Sequence, residues 1–279
     1  MSTSRLLYRH TDNGFLIEVI EEAGTRSLYF SGQHLQSSQR LENPSKLLLP
    51  YTWYMMAFPL ARRDDPKRAL MIGVGAGSMA RFLRQHVLDC QIDAVDISPT
   101  ILSVAQDFFG LHGDDFLHIH CQDGGEFLRQ SAPLYDLILL DAFDGDGMAE
   151  ALYCPPFFNQ VKAHLNEDGI FCCNLWSNKA TRRRGLFQQL RHSFADTIFL
   201  PVPERGNTIS LSAISAMFWR ETCTDLERLA GLSDRFGLDF FTMAEVALRH
   251  NGGKDRLADL PIGSPVGSPT GFWRRLLRG

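Results

Sequence analysis

The sequence predicts an α/β chain, a doubly wound and mostly parallel sheet preceded by a small region of antiparallel hairpins. Three observations predict it. From residue 69 onward, short apolar runs alternate with stretches of helical spacing, the rhythm of a parallel sheet with helices on both faces. The first of these runs ends in a glycine-rich turn just ahead of a helix. Before it, the chain shows short alternating segments broken by turn residues, as antiparallel hairpins do.

Bulk properties set the frame. The 279 residues are 44% hydrophobic and 22% charged, with a net charge of -4, ordinary for a globular enzyme and a poor match to a nucleic-acid binder, which would carry a basic face. No run of about 18 apolar residues suggests a membrane span, and the start lacks an apolar signal core. The cysteines at 90, 121, 154, 172, 173 and 223 form no Cys-x-x-Cys pair. Reduced thiols in a cytoplasmic protein are therefore expected, with a disulfide or zinc role as the alternative.

Element by element, Phe15–Ile20 and Ser27–Phe30 read as hairpin strands within an N-terminal β-strand domain, 1–48. Pro50–Ala61, rich in aromatics and methionine, reads as one buried helix. The nucleotide-binding and catalytic domain, 49–250, then alternates. Strands are expected at Ala69–Ile72, Ile92–Asp96, Leu117–His120, Leu137–Leu140 and Ile170–Leu175, with helices at Ser78–His86, Thr100–Phe109, Gly124–Gln130 and Phe157–Leu165. The last helix is expected to end in an Asn166–Gly169 turn. Gly185–Phe194 reads as a further helix, and Asn207–Phe218 holds at least one strand. The Pro/Gly/Ser-rich stretch 251–279 reads as a loose tail ending in a basic-aromatic patch.

Chemistry concentrates where the strands end. The strand Ala69–Ile72 runs into Gly73-Val-Gly75-Ala-Gly77, and glycines there let the backbone turn sharply and approach a ligand. About 20 residues later Asp96 closes the next strand, where a carboxylate can accept both hydroxyls of a ribose. The bland alternative is a tight turn with Asp96 capping the following helix. Asp123, just ahead of Gly124, closes the third strand and is placed to recognise an adenine, to cap the next helix, or both. Together these point to an adenosyl nucleotide of the S-adenosylmethionine type.

The fourth strand runs straight into Asp141-Ala-Phe-Asp144-Gly-Asp146. Carboxylates this close repel one another unless a cation binds. A polar turn and a divalent metal are the alternatives, the latter lacking further ligands placed by the sequence. An acidic pocket for an organic cation fits best. An amine acceptor arrives protonated, near a pKa of about 10, and must lose its proton before attacking a sulfonium. Asp141 is the candidate for taking that proton, with Asp144 anchoring the amine.

From about residue 28 to 215 the sequence resembles the spermidine synthase (polyamine aminopropyltransferase) family. The resemblance rests on Leu28-Tyr-Phe-Ser-Gly, Gln36-Ser-Ser, Tyr51 ahead of an apolar helix, Gly73–Gly77, Val95-Asp96-Ile97, Asp123-Gly-Gly-Glu-Phe-Leu, Tyr135–Asp144 and Leu152-Tyr with Phe157-Phe. It implies a methyltransferase-like Rossmann fold with a small N-terminal β domain. The activity implied is transfer of an aminopropyl group from decarboxylated S-adenosylmethionine to putrescine or a related amine, with no metal and commonly in a homodimer. It further implies that Gly73, Gly75, Gly77, Asp96, Ile97, Asp123 and Gly124 bind the nucleotide, that Gln36, Tyr51 and Asp144 bind the amine, and that Asp141 is the base.

The chain departs from the family at three places. Ala76 replaces an aspartate that holds the donor's amino group, Tyr51-Thr52-Trp53 replaces a Tyr-His/Gln-Glu motif, and Asp141-Ala-Phe-Asp144-Gly replaces Asp-Ser-Ser-Asp-Pro. An S-adenosylmethionine-dependent methyltransferase and a non-catalytic nucleotide-binding homologue are the competing readings.

Overall fold

The computed structural model describes residues 4–12, 14–31, 34–130, 133–144, 147–176, 180–203 and 206–252. The expected tail from 253 onward lies outside them. Four antiparallel strands come first: β1 (Arg5–Asp12), β2 (Phe15–Glu22), β3 (Thr25–Phe30) and β4 (His34–Arg40), paired in that order. The sequence had marked only the middle two.

The helix expected over 50–61 is shorter. It forms as α1 (Pro50–Met55) and resumes as a single 3-10 turn at Phe58–Leu60. Pro59 explains the break, because it has no N–H to donate back to the Met55 carbonyl and its ring crowds that carbonyl.

The alternating part follows as β5 (Arg68–Ile72), α2 (Ser78–His86), β6 (Gln91–Asp96), α3 (Pro99–Phe109), β7 (Leu117–Cys121), α4 (Gly124–Gln130) and β8 (Tyr135–Leu140). Two-residue strands β9 (Phe143–Asp144) and β10 (Gly147–Met148) pair with each other just beyond. Then come α5 (Pro155–Ala163), β11 (Leu165–Trp176), α6 (Ala180–Ser193), β12 (Asp196–Pro201) and β13 (Asn207–Ala213). Three helices that sequence reading passed over close the described chain: α7 (Trp219–Thr224), α8 (Leu226–Phe236) and α9 (Phe240–Asn251).

The turn expected at 166–169 is instead an irregularity within β11. Leu165 pairs with Tyr135 and Ile170 with Leu137, so the intervening residues bulge opposite Asp136. That carboxylate fastens the bulge by accepting from Asn166 Nδ2 at 2.7 Å, and it ties in the start of β5 through the Lys67 and Arg68 amides.

Among the described residues the large sheet has the order β12-β13-β11-β8-β5-β6-β7. Only β13 runs antiparallel to its neighbours in it. The chain order reverses between β5 and β8, and open α/β sheets bind their ligands at such a switch point. Both strands are buried on both faces, as centrally placed parallel strands must be.

Strand side chains alternate between two cores. Met71, Leu139, Cys172 and Ile209 face one core, shared with α1, α2, α8 and α9. Ile72, Leu140, Cys173 and Phe199 face the other, shared with α5 and α6.

The N-terminal sheet sits on α3 and on the glycine turn. Ile17, Val19 and Leu28 pack against Ile101, Val104, Phe109 and the fully buried Ala76. Gln39 Nε2 donates to the Phe109 carbonyl at 3.1 Å and the Arg26 guanidinium donates to the Phe108 carbonyl, satisfying the end of α3. The Ala76 amide donates to Ser37 Oγ at 3.2 Å.

Glycine is required at 73, where φ is +89° and a Cβ would lie 2.2 Å from the Asp141 carbonyl oxygen. We expect Gly73→Ala to destabilise the fold by about 2 kcal/mol or more in urea unfolding. Gly75→Ala meets only the movable Ser37 hydroxyl, at 2.8 Å, and should cost less despite its own positive φ.

Candidate active site

Parallel register places four strand ends in one row. Ile72 pairs with Val95 and with Leu140, and Leu140 pairs with Cys173. The next residues along, Gly73, Asp96, Asp141 and Asn174, therefore share the carboxyl edge of the sheet. Above this edge lies a cavity of about 360 Å³, walled on its far sides by Phe30 of β3 and by Ala149, Ala151 and Leu152.

Of the residues expected to form a site, Gln36, Tyr51, Gly73, Gly75, Asp96, Ile97, Asp123, Gly124 and Asp141 all line this one cavity. Gly77 does not. It begins α2 with φ +76°, and a Cβ there would lie 2.6 Å from Leu111 Cδ1. Its smallness serves packing of the turn. Asp144 pairs through its backbone with Gly147, and its side chain lies outside the described residues, as do Gly145 and Asp146.

Asp96 is not the helix cap that the bland reading offered. Ser98 caps α3, its side chain accepting from the Ile101 amide at 3.2 Å. Asp96 instead accepts from the Val74 amide at 2.9 Å and the Ser98 amide at 3.0 Å. It thereby clamps the glycine turn while facing the cavity. Burial raises its pKa above the usual carboxylate value, and the surrounding amides pull it back. Asp123 has both expected roles open to it. It caps α4, accepting from the Glu126 amide at 2.9 Å, and it lines the cavity. Between these two carboxylates Ile97 is 69% exposed, an unpaired apolar surface suited to the face of a base.

Asp141 is the most constrained group. Its Oδ2 accepts from the Tyr51 hydroxyl of α1 at 3.1 Å, and its Oδ1 accepts from Asn174 Nδ2 of β11 at 2.8 Å. Burial lifts its pKa from 3.8 to about 6, against the pull of those two donors. The same burial raises Tyr51 well above its ordinary value, so that phenol stays a donor.

Asn174 escaped sequence reading because it sits in an otherwise apolar run. Its own Oδ1 accepts from Asn207 Nδ2 at 3.0 Å, and its backbone carbonyl accepts from the Tyr153 hydroxyl at 3.1 Å. A lone polar residue at the end of a buried strand was the signal available. His120 bonds Asp93 at 2.9 Å, away from the cavity.

Ala76 faces away too. It is fully buried among the apolar residues of the N-terminal sheet and α3, and it contributes nothing to the cavity wall. Among the described residues no cluster of three His, Cys, Asp or Glu side chains is placed to hold a metal ion.

The residues 48–206 match the model of the spermine/spermidine synthase domain. The polyamine aminopropyltransferase of Chromobacterium violaceum is 36% identical over 230 residues, covering 80% of this chain and 86% of that protein. The chain belongs to the spermine/spermidine synthase family. It is a transferase. The spermidine synthase of Thermotoga maritima shares its fold at a TM-score of 0.64 and 15% identity, over 84% of this chain and 88% of that one.

Methyltransferases lie close as well. The human eEF1A lysine and N-terminal methyltransferase is 33% identical over 125 residues, 40% of this chain and 18% of that protein. Human methyltransferase-like protein 13, solved in complex with SAH, superposes with a TM-score of 0.57 at 22% identity, over 76% of this chain and 98% of that one.

The buried charge on Asp141 has a cost that can be read directly. Its folded pKa exceeds its unfolded value, so the folded state holds the proton more tightly and stability falls as pH rises from about 4 to about 6. Asp141→Asn should therefore melt higher than the parent protein at pH 8. We expect its advantage to shrink below pH 6 and to vanish near pH 4, from a plateau of up to about 3 kcal/mol.

Proposed function

We propose that the protein transfers an aminopropyl group from decarboxylated S-adenosylmethionine to a small polyamine such as putrescine, with no metal, as a homodimer in the cytoplasm. The observation carrying this is the buried Asp141 carboxylate, held by Tyr51 and Asn174 beside a nucleotide-sized cavity that Asp96 and Asp123 also line. In this assignment 1–48 is an N-terminal β domain, 49–250 the catalytic domain and 251–279 a tail. All six cysteines are free, in keeping with a reducing compartment. Among the described residues no helix is long and apolar enough to cross a membrane.

The cavity fits the donor's nucleoside. Gly73 and Gly75, both at positive φ, keep the turn free of side chains, Asp96 offers an acceptor to ribose hydroxyls, and Asp123 offers one to an adenine amino group. Ile97 and Gly124 flank the base, and Gly77 supports the turn from behind. When bound, the donor supplies a carbon attached to a cationic sulfur that leaves as a neutral thioether.

Asp141 does the rest. It binds the incoming ammonium, aims the nitrogen, and takes a proton from it, and the lone pair so freed then forms the C–N bond as the C–S bond breaks. Against an amine near 10, a carboxylate at 3.8 faces a gap of about 6 units, whereas at about 6 the gap narrows to about 4. Gln36, Tyr51 and Asp144 would hold the amine chain.

Ala76 favours a second reading, a methyltransferase. A side chain buried under the N-terminal sheet offers no counter-charge to a donor's free ammonium arm. The two are separated by following methylthioadenosine release from decarboxylated S-adenosylmethionine plus putrescine. Release supports aminopropyl transfer, while tight S-adenosylmethionine binding with no release to any diamine would sink it. Asp141→Asn should lower turnover by roughly 10²–10⁴-fold with nucleotide affinity retained. Asp96→Ala should instead weaken nucleotide binding by about tenfold or more. The pH profile of kcat/KM should lose activity as pH falls through about 6, where Asp141 takes up its proton.

A further inference from the structure

Residues Asp141, Asn174 and Asn207 stand in a row on one face of the sheet. Asn174 follows Cys173, the register partner of Leu140, so it lies beside Asp141. Asn207 pairs with Trp176, two residues beyond Asn174 on the same face, and is its diagonal neighbour across the antiparallel β11–β13 pair. Each contact is a single hydrogen bond: Asn207 Nδ2 to Asn174 Oδ1 at 3.0 Å, then Asn174 Nδ2 to Asp141 Oδ1 at 2.8 Å.

We propose that Asn207 is a positioning residue for the transfer reaction, acting through Asn174 to fix which end of that amide faces Asp141. The chemistry is directional. An ionised carboxylate only accepts, so it needs the amide's NH2 end, and an amide that turned over would present a carbonyl to it. Asn174 is 1% exposed, so its amide is held by protein partners. A donor on its far side makes the choice. Asn207 supplies that donor from the one antiparallel strand of the large sheet, which brings its side chain alongside β11 rather than beyond it.

Other groups do not confuse the assignment. Among the described residues, Asp141 acts electrostatically on Tyr51 of α1, Tyr153 ahead of α5, and Cys172 and Cys173 of β11, while Asp96 and Asp123 share its cavity. Burial raises these tyrosines and cysteines well above their ordinary values, so they stay neutral while Asp141 titrates.

The role of Asn207 rests on Asp141 being the base, but the test does not need turnover. The Asp141 carboxyl is followed by 13C NMR in full-length protein labelled at aspartate, assigned by its disappearance in Asp141→Asn. Asn174→Ala should raise the titration midpoint by roughly one pH unit, because a donor to the charged form is lost. Asn207→Ala should raise it in the same direction without touching Asp141. The double variant should shift no further than Asn174→Ala alone, since Asn207 acts only through that amide.

An unmoved midpoint in Asn207→Ala, or fully additive shifts, would overturn the proposal. Should Asn174→Ala fail to bind nucleotide and so to fold, Asn207→Ala and Asn207→Ser decide it. The serine retains a donor and should shift the midpoint less than the alanine, and equal shifts would count against the idea. In the transfer assay the acid limb of kcat/KM should move with the NMR midpoint while the donor KM stays unchanged. Loss of turnover in the parent protein with the NMR shifts intact would refute aminopropyl transfer and leave the Asn207 relay standing.

Discussion

The carboxyl edge is organised around one carboxylate, Asp141, that is largely desolvated yet still ionisable. For the proposed reaction, a buried, unpartnered Asp141 would be neutral at pH 7 and useless as a base, whereas a solvated one would be too weak a base to draw a proton from an ammonium. The structure sits between these limits. Burial lifts the pKa to about 6, and two neutral donors, Tyr51 and Asn174, hold back a larger rise. Neutral donors suit the proposed reaction, because a cationic partner would compete with an amine for the same oxygens.

That constraint reaches outward through the fold. Tyr51 can touch Asp141 only because α1 packs on the same sheet face, where Met55 meets Cys172. Gly73 must be glycine because its backbone passes directly against the Asp141 carbonyl. The N-terminal sheet stiffens the glycine turn from the opposite side, through Ser37 and the apolar cluster around Ala76. The proposed nucleotide and amine halves of the cavity would thus be two sides of a single switch point in the sheet.

Much of this was legible in the sequence. The glycine turn, Asp96, Asp123 and Asp141 announce themselves because each is a polar or flexible residue placed just where an apolar strand stops. Parallel strands are near-continuous apolar runs, so their ends are easy to find. Asn174 and Asn207 were hidden for a related reason. Asn174 is embedded in such a run, and Asn207 belongs to a strand whose antiparallel insertion beside β11 no local pattern reveals. The 50–61 helix was overdrawn by overlooking Pro59. The helices over 219–251 were missed although Asp225 and Asp239 cap two of them and Gly237 ends one in the left-handed conformation. The side chain of Ala76 belongs to the core beneath the N-terminal sheet and not to the cavity, a placement that no local pattern announces.

The central claim is that Asp141 meets the acceptor nitrogen. A crystal structure of the protein with methylthioadenosine and putrescine tests it most directly. The account predicts the adenosine ribose on Asp96 and one putrescine nitrogen within hydrogen-bond distance of an Asp141 carboxylate oxygen, about 3 Å. A putrescine bound with both nitrogens away from Asp141, the nucleoside being in place, would contradict it.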